Sequence, residues 1–182
     1  MLQINLSQLP NIETNRLLLR KQTLSDAQAL FQLRTNTEVM RYIDRPWPKD
    51  VRDSEAAIQT INQQFYTGLS LVWAITLKDN PDLMIGNVGY WRTDLANHRA
   101  EIGYMLHPDY WRQGILSEGL VAAIDFGFNT VGFHSIFANI NPGNDASRQL
   151  LLKHNFIKEA YFREDYYFEG KFLDSEIYGL LL

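Results

Sequence analysis

The sequence predicts a mixed fold of the α+β class, in which helices cover both faces of a mostly antiparallel central sheet of about six to seven strands. Three observations predict it. An opening strand leads into helices, the middle of the chain is a run of β-rich segments separated by turn residues, and two strand–helix alternations precede a closing hairpin. Because no linker, low-complexity tract or internal repeat interrupts this order, we expect one domain over residues 1–182.

The first half of the chain opens with a strand and continues with helices. The three leucines between Arg16 and Arg20 predict the strand. The helices are predicted from Ser25-Asp26 onward, over 36–43, and over 50–66, where Gly68 ends the last one. Residues 71–77 and 83–91 are rich in β-formers and are joined by Asp79-Asn80-Pro81-Asp82, so they predict a hairpin.

The second half alternates strands and helices. In chain order the predicted elements are a strand over 99–106, a helix over 117–128, a strand over 135–141, a helix from Asn144 to Asn155, and a hairpin with strands over 157–168 and 171–182. Asn144 is a good N-cap residue. Asn155 tolerates the left-handed conformation that often ends a helix.

The composition is that of a folded protein in water. Hydrophobic residues make up 46% of the chain and charged residues 21%, which argues against disorder and against a fibrous repeat. No apolar run approaches the ~20 residues of a membrane span, and the first residues lack a basic region ahead of an apolar one, so we expect a cytoplasmic protein without membrane contact. The lack of cysteine excludes a disulfide framework, a thiolate nucleophile and a cysteine-ligated metal.

Charge and histidine spacing narrow the partners further. The formal net charge of −4 argues against nucleic acid as a partner and mildly favours a cationic substrate. The histidines show no metal-binding pattern, such as a pair four residues apart with an acidic partner, so we expect no metal; they are His98, His107, His134 and His154. Monomer and homodimer both stay open.

The segment from Tyr110 to Glu118 carries the clearest binding chemistry. It lies where a strand has ended and a helix begins, and the free N–H groups of a helix N-terminus attract phosphate. Gly114 allows close approach of an anion, and Arg112 adds a cation. On these residues alone, Gly114 as a plain turn and Ser117 as a plain N-cap stay an open alternative. P-loop and dinucleotide patterns are incomplete here, which disfavours nucleoside triphosphates and NAD.

Three separated signatures resemble the GCN5-related N-acetyltransferases (GNAT), and in particular the RimJ/RimL-like branch that acetylates the N-termini of ribosomal proteins. The signatures are Thr14-Asn15-Arg16-Leu17-Leu18-Leu19-Arg20; residues 100–106 followed by 108–114 and Ser117-Glu118; and residues 141–147 followed by 150–156. The resemblance covers the chain from about Glu13 to its end. It implies acetyl-CoA as cosubstrate and strands that splay apart at the acyl-CoA site.

The resemblance assigns the pyrophosphate of acetyl-CoA to residues 112–117, which we call the carrier turn. The predicted contacts to acetyl-CoA are Met105, Leu106, Arg112, Gln113, Gly114, Ile115, Leu116, Ser117 and Asn144. The family usually has arginine or glutamine where Trp111 stands and glycine or alanine where Leu116 stands. Because backbone N–H groups bind the phosphates, we expect the site to survive with altered packing.

Acetyl transfer needs a neutral amine, and Glu101 is the candidate base, acting through a water. At pH 7 neutralising an α-amine costs about 1 kcal/mol and neutralising a lysine roughly 4.6 kcal/mol, so a base helps the first and is necessary for the second. Strand alternation places Glu101 on one face with Gly103 and Met105, and the bare Gly103 is expected to leave space for a substrate. The alternative is that Glu101 only pairs with a basic neighbour such as Arg99.

The resemblance implies the remaining roles. A backbone N–H in the Met105–Leu106 region supplies the oxyanion donor. Ser147 either protonates the leaving thiolate or is an ordinary first-turn serine, and Asn144 contacts the pantetheine as well as capping its helix. Many relatives use a tyrosine where Leu151 stands, so we expect that route to be closed.

The acceptor side is less clear from sequence. Tyr42, Trp47 and Trp91 fall where the family receives its amine, although aromatic residues more often belong to a core. We therefore predict transfer of acetyl from acetyl-CoA to a primary amine, with a protein N-terminal α-amine as the first candidate. A small amine, such as a polyamine or an aminoglycoside-like antibiotic, and a non-catalytic acyl-CoA-binding module are the alternatives.

Overall fold

A computed structural model describes residues 2, 4 and 6–182, and its centre is an eight-stranded sheet in the order β1-β2-β3-β4-β5-β6-β8-β7. The strands are β1 Ile12–Glu13, β2 Leu17–Lys21, β3 Leu71–Leu77, β4 Gly86–Asp94, β5 Arg99–Leu106, β6 Ser135–Ile140, β7 Ile157–Phe168 and β8 Lys171–Leu181. The helices are α1 Ala27–Thr35, α2 Thr37–Met40, α3 Val51–Tyr66, α4 Ile115–Asp125 and α5 Asp145–Lys153. Neighbouring strands are antiparallel except β5 and β6, so the predicted mixed sheet is confirmed, with one strand more than expected.

Several element boundaries differ from the sequence prediction. The first helix is preceded by a 3-10 turn, Leu24–Asp26. Thr23 caps this turn, and its N–H donates to the Asp26 carboxylate at 2.8 Å. The strand β4 begins three residues later than predicted, at Gly86. The helix α4 begins two residues earlier than Ser117 and continues beyond Asp125 as a π-helix, at the point where the buried Tyr90 hydroxyl donates to the Ala123 carbonyl at 2.7 Å.

Two hydrophobic clusters cover the two faces of the sheet. The larger cluster packs α4 and α5 on one face, with Trp73, Tyr90 and Leu120 fully buried. The smaller cluster packs α1 and α3 on the other face, around Leu30 and Ile58. Helices on both faces are therefore confirmed. No helix in the described part of the chain is long and apolar enough to span a membrane.

The central strands β5 and β6 separate soon after they pair. Their parallel register covers only Arg99↔Ser135, Ala100↔Ile136 and Glu101↔Phe137. Beyond this point β5 continues alongside β4 to Leu106, and β6 continues alongside β8 to Ile140. The predicted splay is thus confirmed, and it leaves a gap in the middle of the sheet.

Candidate active site

A cavity of about 780 Å³ occupies the gap between β5 and β6. Its walls come from both faces of the sheet, because α1 and α3 contribute residues on one side and the N-terminal turn of α5 contributes residues on the other. A passage of this kind lets two substrates that lie on opposite faces meet at the sheet. The cavity therefore has the shape that a two-substrate reaction needs.

Glu101 lies on the cavity wall, at the last position where β5 pairs with β6, and 15% of its side chain is exposed. It faces Arg92 in the register with β4, and the Arg92 Nη1 atom is 3.3 Å from its Oε2 atom. Arg99, the partner that the sequence suggested, instead lies 4.2 Å over the Phe137 ring. The Arg92 side chain is 74% exposed, so water screens this ion pair and it contributes little to stability.

Gly103 lines the cavity and is also covered by the side chain of Trp91. A Cβ atom at this position would lie 2.7 Å from the Cδ1 atom of Trp91, so the indole ring packs directly on the glycine backbone. Trp91 in turn forms part of the cavity wall. A side chain at position 103 would collide with Trp91, and the substrate space expected beside Gly103 stays a prediction.

Ser147 lies on the opposite side of the cavity, in the first turn of α5. The Asn144 side chain caps this helix by accepting a hydrogen bond from the Ser147 N–H at 3.1 Å, and both residues line the cavity. Leu151, where relatives carry a tyrosine, is fully buried.

Tyr104 is a site residue that sequence reasoning missed. Alternation along β5 puts it on the opposite face from Glu101, but at the splay its side chain lines the same cavity as Ser147. Burial raises the pKa of Tyr104 to about 12, and the Ser147 hydroxyl acts in the opposite direction. The two hydroxyls lack ordinary hydrogen-bond geometry, so the Tyr104 hydroxyl has no partner among the described residues. No local sequence pattern predicts that Tyr104 lines the cavity, since its position there depends on where β6 separates from β5.

The carrier turn has the geometry of an anion-binding site. Gly114 is the N-cap of α4 with φ 74°, and the first helical hydrogen bond runs from the Glu118 N–H to the Gly114 carbonyl at 3.0 Å. The preceding N–H groups therefore have no partner within the helix. Arg112, with φ 59°, and Gln113 are exposed beside them. This left-handed turn opening into a helix can hold the phosphates of a nucleotide carrier.

The family model for the acetyltransferase (GNAT) domain matches residues 16–157 of this chain. The chain belongs to the GNAT acetyltransferases. It is an acetyl-CoA-dependent acetyltransferase.

Several proteins are similar over most of their length. The uncharacterized N-acetyltransferase YoaA of Bacillus subtilis (strain 168) is 34% identical over 94% of this chain and 97% of its own. The ribosomal-protein-serine acetyltransferase of Escherichia coli (strain K12) is 23% identical over 84% of this chain and 86% of its own. Among solved structures, RimL, the ribosomal L7/L12 α-N-protein acetyltransferase in complex with coenzyme A, has a TM-score of 0.84 at 20% identity and covers 95% and 98% of the two chains. That last likeness shows the fold.

In this acetyltransferase a hydrogen-bond network from the start of β2 supports the carrier turn, and the sequence did not reveal it. Glu118, one turn into α4, accepts hydrogen bonds from the Thr14 hydroxyl at 2.6 Å and from the Arg16 N–H at 2.8 Å. Arg16 also donates its Nε to Glu118 at 2.7 Å and its Nη1 to the Gln113 carbonyl at 2.9 Å. Arg16 therefore connects the start of β2 to the turn. More than 95 residues separate these partners along the chain, so no local pattern identifies them.

The two departures from the family pattern are accommodated by packing. The Trp111 indole N–H donates to the Leu106 carbonyl at 2.7 Å, which ties the turn to the end of β5. Leu116 is partly buried against the main core. Ile115 and Leu106 are buried side chains, so only their backbones can serve the carrier, whereas Met105 lines the cavity.

The acceptor residues predicted from sequence do not all reach the cavity. Tyr42 and Trp91 line it, but Trp47 lies outside it with 47% of its surface exposed. Asn87 on β4 also lines the cavity, is fully buried, and has no hydrogen-bond partner for either side-chain atom among the described residues.

Two further predicted positions are informative. The Ser117 hydroxyl lies 2.6 Å from the Nε2 atom of His154, so it joins α4 to the end of α5 rather than being free. Asn155 has φ 64°, and the left-handed helix end predicted there is confirmed. Within residues 2, 4 and 6–182 no group of three or more acidic, histidine or cysteine side chains is arranged to hold a metal ion.

Proposed function

We propose that this enzyme acetylates the N-terminal α-amine of a protein. The observation that carries the proposal is the placement of Glu101 and Ser147 on opposite walls of one cavity that passes through the sheet. A base on the acceptor side and an acid on the carrier side are the two groups that amine acylation by a thioester requires. Relatives named as ribosomal-protein-serine and ribosomal protein uS5-alanine acetyltransferases support a protein acceptor.

The residues act as follows. The N–H groups of the carrier turn bind the pyrophosphate, Arg112 adds a cation, and Asn144 contacts the pantetheine arm in the gap. The amine nitrogen forms a bond to the acetyl carbon as the carbon–sulfur bond breaks. Glu101 accepts the amine proton through a water. Ser147 gives its proton to the sulfur and is reprotonated from solvent, to which Glu101 in turn releases the amine proton.

The remaining groups stabilise this exchange. A backbone N–H in the Met105–Leu106 region donates to the acetyl oxygen as it becomes negative. Tyr104, next to Ser147, is placed to hydrogen-bond that hydroxyl once the side chains adjust. An α-amine needs only about 1 kcal/mol for neutralisation at pH 7, against roughly 4.6 kcal/mol for a lysine, so the α-amine asks less of Glu101.

Mass spectrometry of an acceptor panel incubated with enzyme and acetyl-CoA tests the proposal. The panel contains a peptide with a free N-terminus, the same peptide with a blocked N-terminus and an internal lysine, and a free polyamine. We expect a single acetyl group on the α-nitrogen of the first peptide. Acetylation of the polyamine or of the lysine alone would replace the proposal with the corresponding small-amine or lysine activity.

A further inference from the structure

Three arginines line the cavity on the acceptor side. Arg34 comes from the last turn of α1, Arg45 from the segment after α2, and Arg92 from β4. Of the three, only Arg92 has a carboxylate within 4.0 Å among the described residues, namely Glu101 at 3.3 Å. Arg34 donates to the Pro46 carbonyl at 3.1 Å, and Arg45 lies 5.2 Å over the Trp91 ring. Two guanidinium groups therefore face the cavity without a contacting counter-charge.

Burial and the positive charges of neighbouring arginines lower the pKa values of Arg34 and Arg45. Burial, and after it the positive charge of Arg92, lowers the pKa of Arg45, with Glu101 opposing. Burial, and after it the charge of Arg45, lowers the pKa of Arg34, with Asp53 opposing. Arg45 is an exposed residue whose guanidinium group lies over the Trp91 ring, whereas Arg34 is half-buried. Both arginines stay protonated in spite of these shifts. An anion bound between Arg34 and Arg45 would therefore reduce the repulsion between their positive charges.

The other two carboxylates of the cavity lining, Asp44 and Asp165, accept hydrogen bonds from hydroxyl groups rather than from the arginines. Tyr166 donates a hydrogen bond to Asp44, and Ser175 donates one to Asp165 at 2.9 Å. The cavity lining thus carries three arginines and three carboxylates, and within it Arg34 and Arg45 are the two cations without a carboxylate within 4.0 Å among the described residues.

From this arrangement we propose that the acceptor is an amine that also carries a carboxylate or phosphate, and that this anion binds Arg34 and Arg45 while the amine faces Glu101. The planar guanidinium fork matches both anions. The same positive charges disfavour an ammonium ion beside Glu101, which helps to present the amine in its neutral form. This inference rests on the proposed acetyl transfer at Glu101, and it specifies the chemistry of the acceptor.

Isothermal titration of matched ligand pairs into the CoA-saturated protein tests the inference. The peptide pair is the C-terminally amidated tripeptides Ser-Glu-Gly and Ser-Gln-Gly, and the small-molecule pair is phosphoethanolamine and ethanolamine. At least one anionic member should bind roughly 10- to 100-fold tighter than its neutral counterpart, and the pair that shows this identifies the source of the anion. The difference should shrink as salt is raised.

Arginine variants locate the effect. Arg45→Gln and Arg34→Gln should each remove most of the discrimination, and Arg45→Lys should keep part of it. Arg52→Gln is the matched control, because Arg52 lies on α3 outside the cavity with 88% of its side chain exposed. Equal or tighter binding of both neutral members, no binding of either anionic member, or discrimination that survives both glutamine variants overturns the inference. Because binding is the readout, selective binding without turnover would count only against acetyl transfer, and turnover without selectivity only against the anion site.

Discussion

Replacing Glu118 with glutamine should loosen the carrier turn without altering the cavity. The Glu118 carboxylate accepts hydrogen bonds from Thr14 and from the backbone and side chain of Arg16, and Arg16 passes this support to the Gln113 carbonyl. Glutamine keeps the shape and one acceptor oxygen, but it loses the charge and the second acceptor. The substitution therefore isolates the electrostatic part of the support.

The expected size follows from exposure and bond type. The Arg16 side chain is 43% exposed and that of Glu118 is 19% exposed, so the ion pair itself is worth about 0.5–1 kcal/mol. Weakening two charge-assisted hydrogen bonds to neutral ones adds about 1 kcal/mol. A total loss of about 1.5–2 kcal/mol corresponds to a fall in Tm of about 3–8 °C for a chain of this length. If most of the loss falls on the turn, acetyl-CoA binds roughly tenfold more weakly.

The effect should also depend on pH. Burial opposes ionisation of Glu118, but the hydrogen bonds from Thr14 and Arg16 and the charge of Arg16 outweigh it and lower the pKa of Glu118 below its ordinary 4.5. A depressed folded-state pKa gives stability that is complete above the unfolded value and is lost as the pH falls through the folded value. The Tm difference between wild type and Glu118→Gln should therefore be largest at pH 7 and shrink toward about pH 3.

Thermal unfolding at several pH values and titration calorimetry with acetyl-CoA measure both parts. Glu13→Gln is a suitable control, because Glu13 is 70% exposed and pairs with Lys78 at 3.2 Å away from the turn. It should change the free energy of unfolding by no more than the roughly 0.5 kcal/mol typical of surface changes. A Tm difference for Glu118→Gln that stays constant with pH, or unchanged affinity for acetyl-CoA, would refute the reasoning.

Three further changes have defined outcomes. Gly114→Ala has room, since its Cβ would meet only the Arg16 Nη2 atom at 3.5 Å, so its cost is the roughly 1–2 kcal/mol of a left-handed backbone; calorimetry should show severalfold weaker acetyl-CoA binding. Tyr90→Phe removes the hydroxyl that donates to the Ala123 carbonyl at 2.7 Å, and should cost about 1–3 kcal/mol in denaturant unfolding with kcat unchanged. Burial lowers the pKa of His154 below its ordinary 6.5, so folding favours the neutral ring and this stability is lost as the pH falls below 6.5; His154→Gln should flatten the Tm profile between about pH 7 and 5.

Sequence patterns identified the strands, the helices and the carrier turn, because these features depend on residues close together in the chain. The amphipathic and β-rich segments gave the strands and helices, and the strand–turn–helix around Gly114 gave the carrier turn, because its chemistry lies in consecutive backbone N–H groups. The strand β1 was missed because two residues, Ile12–Glu13, are too few for alternation to be visible.

Features that depend on distant pairing could not be predicted. The structural alternative for Glu101 was a pair with Arg99, a near neighbour in sequence, but the register of β4 brings Arg92 to it instead. Tyr104 reaches the cavity only because β6 diverges from β5, and Arg34 and Arg45 meet there only through the packing of α1 against the sheet. Tertiary structure determines these contacts, and they produce no periodic pattern in the sequence from which they could be predicted.

Single-turnover acetylation of an α-amine peptide by wild type and Glu101→Gln, with the Kd for acetyl-CoA measured on the same samples, tests the central claim most directly. The account predicts that the rate falls roughly 10²- to 10⁴-fold in the variant, the usual contribution of a general base, while the Kd stays the same because Glu101 lies on the acceptor side. A variant that acetylates the peptide at the wild-type rate would contradict the assignment of Glu101 as the base.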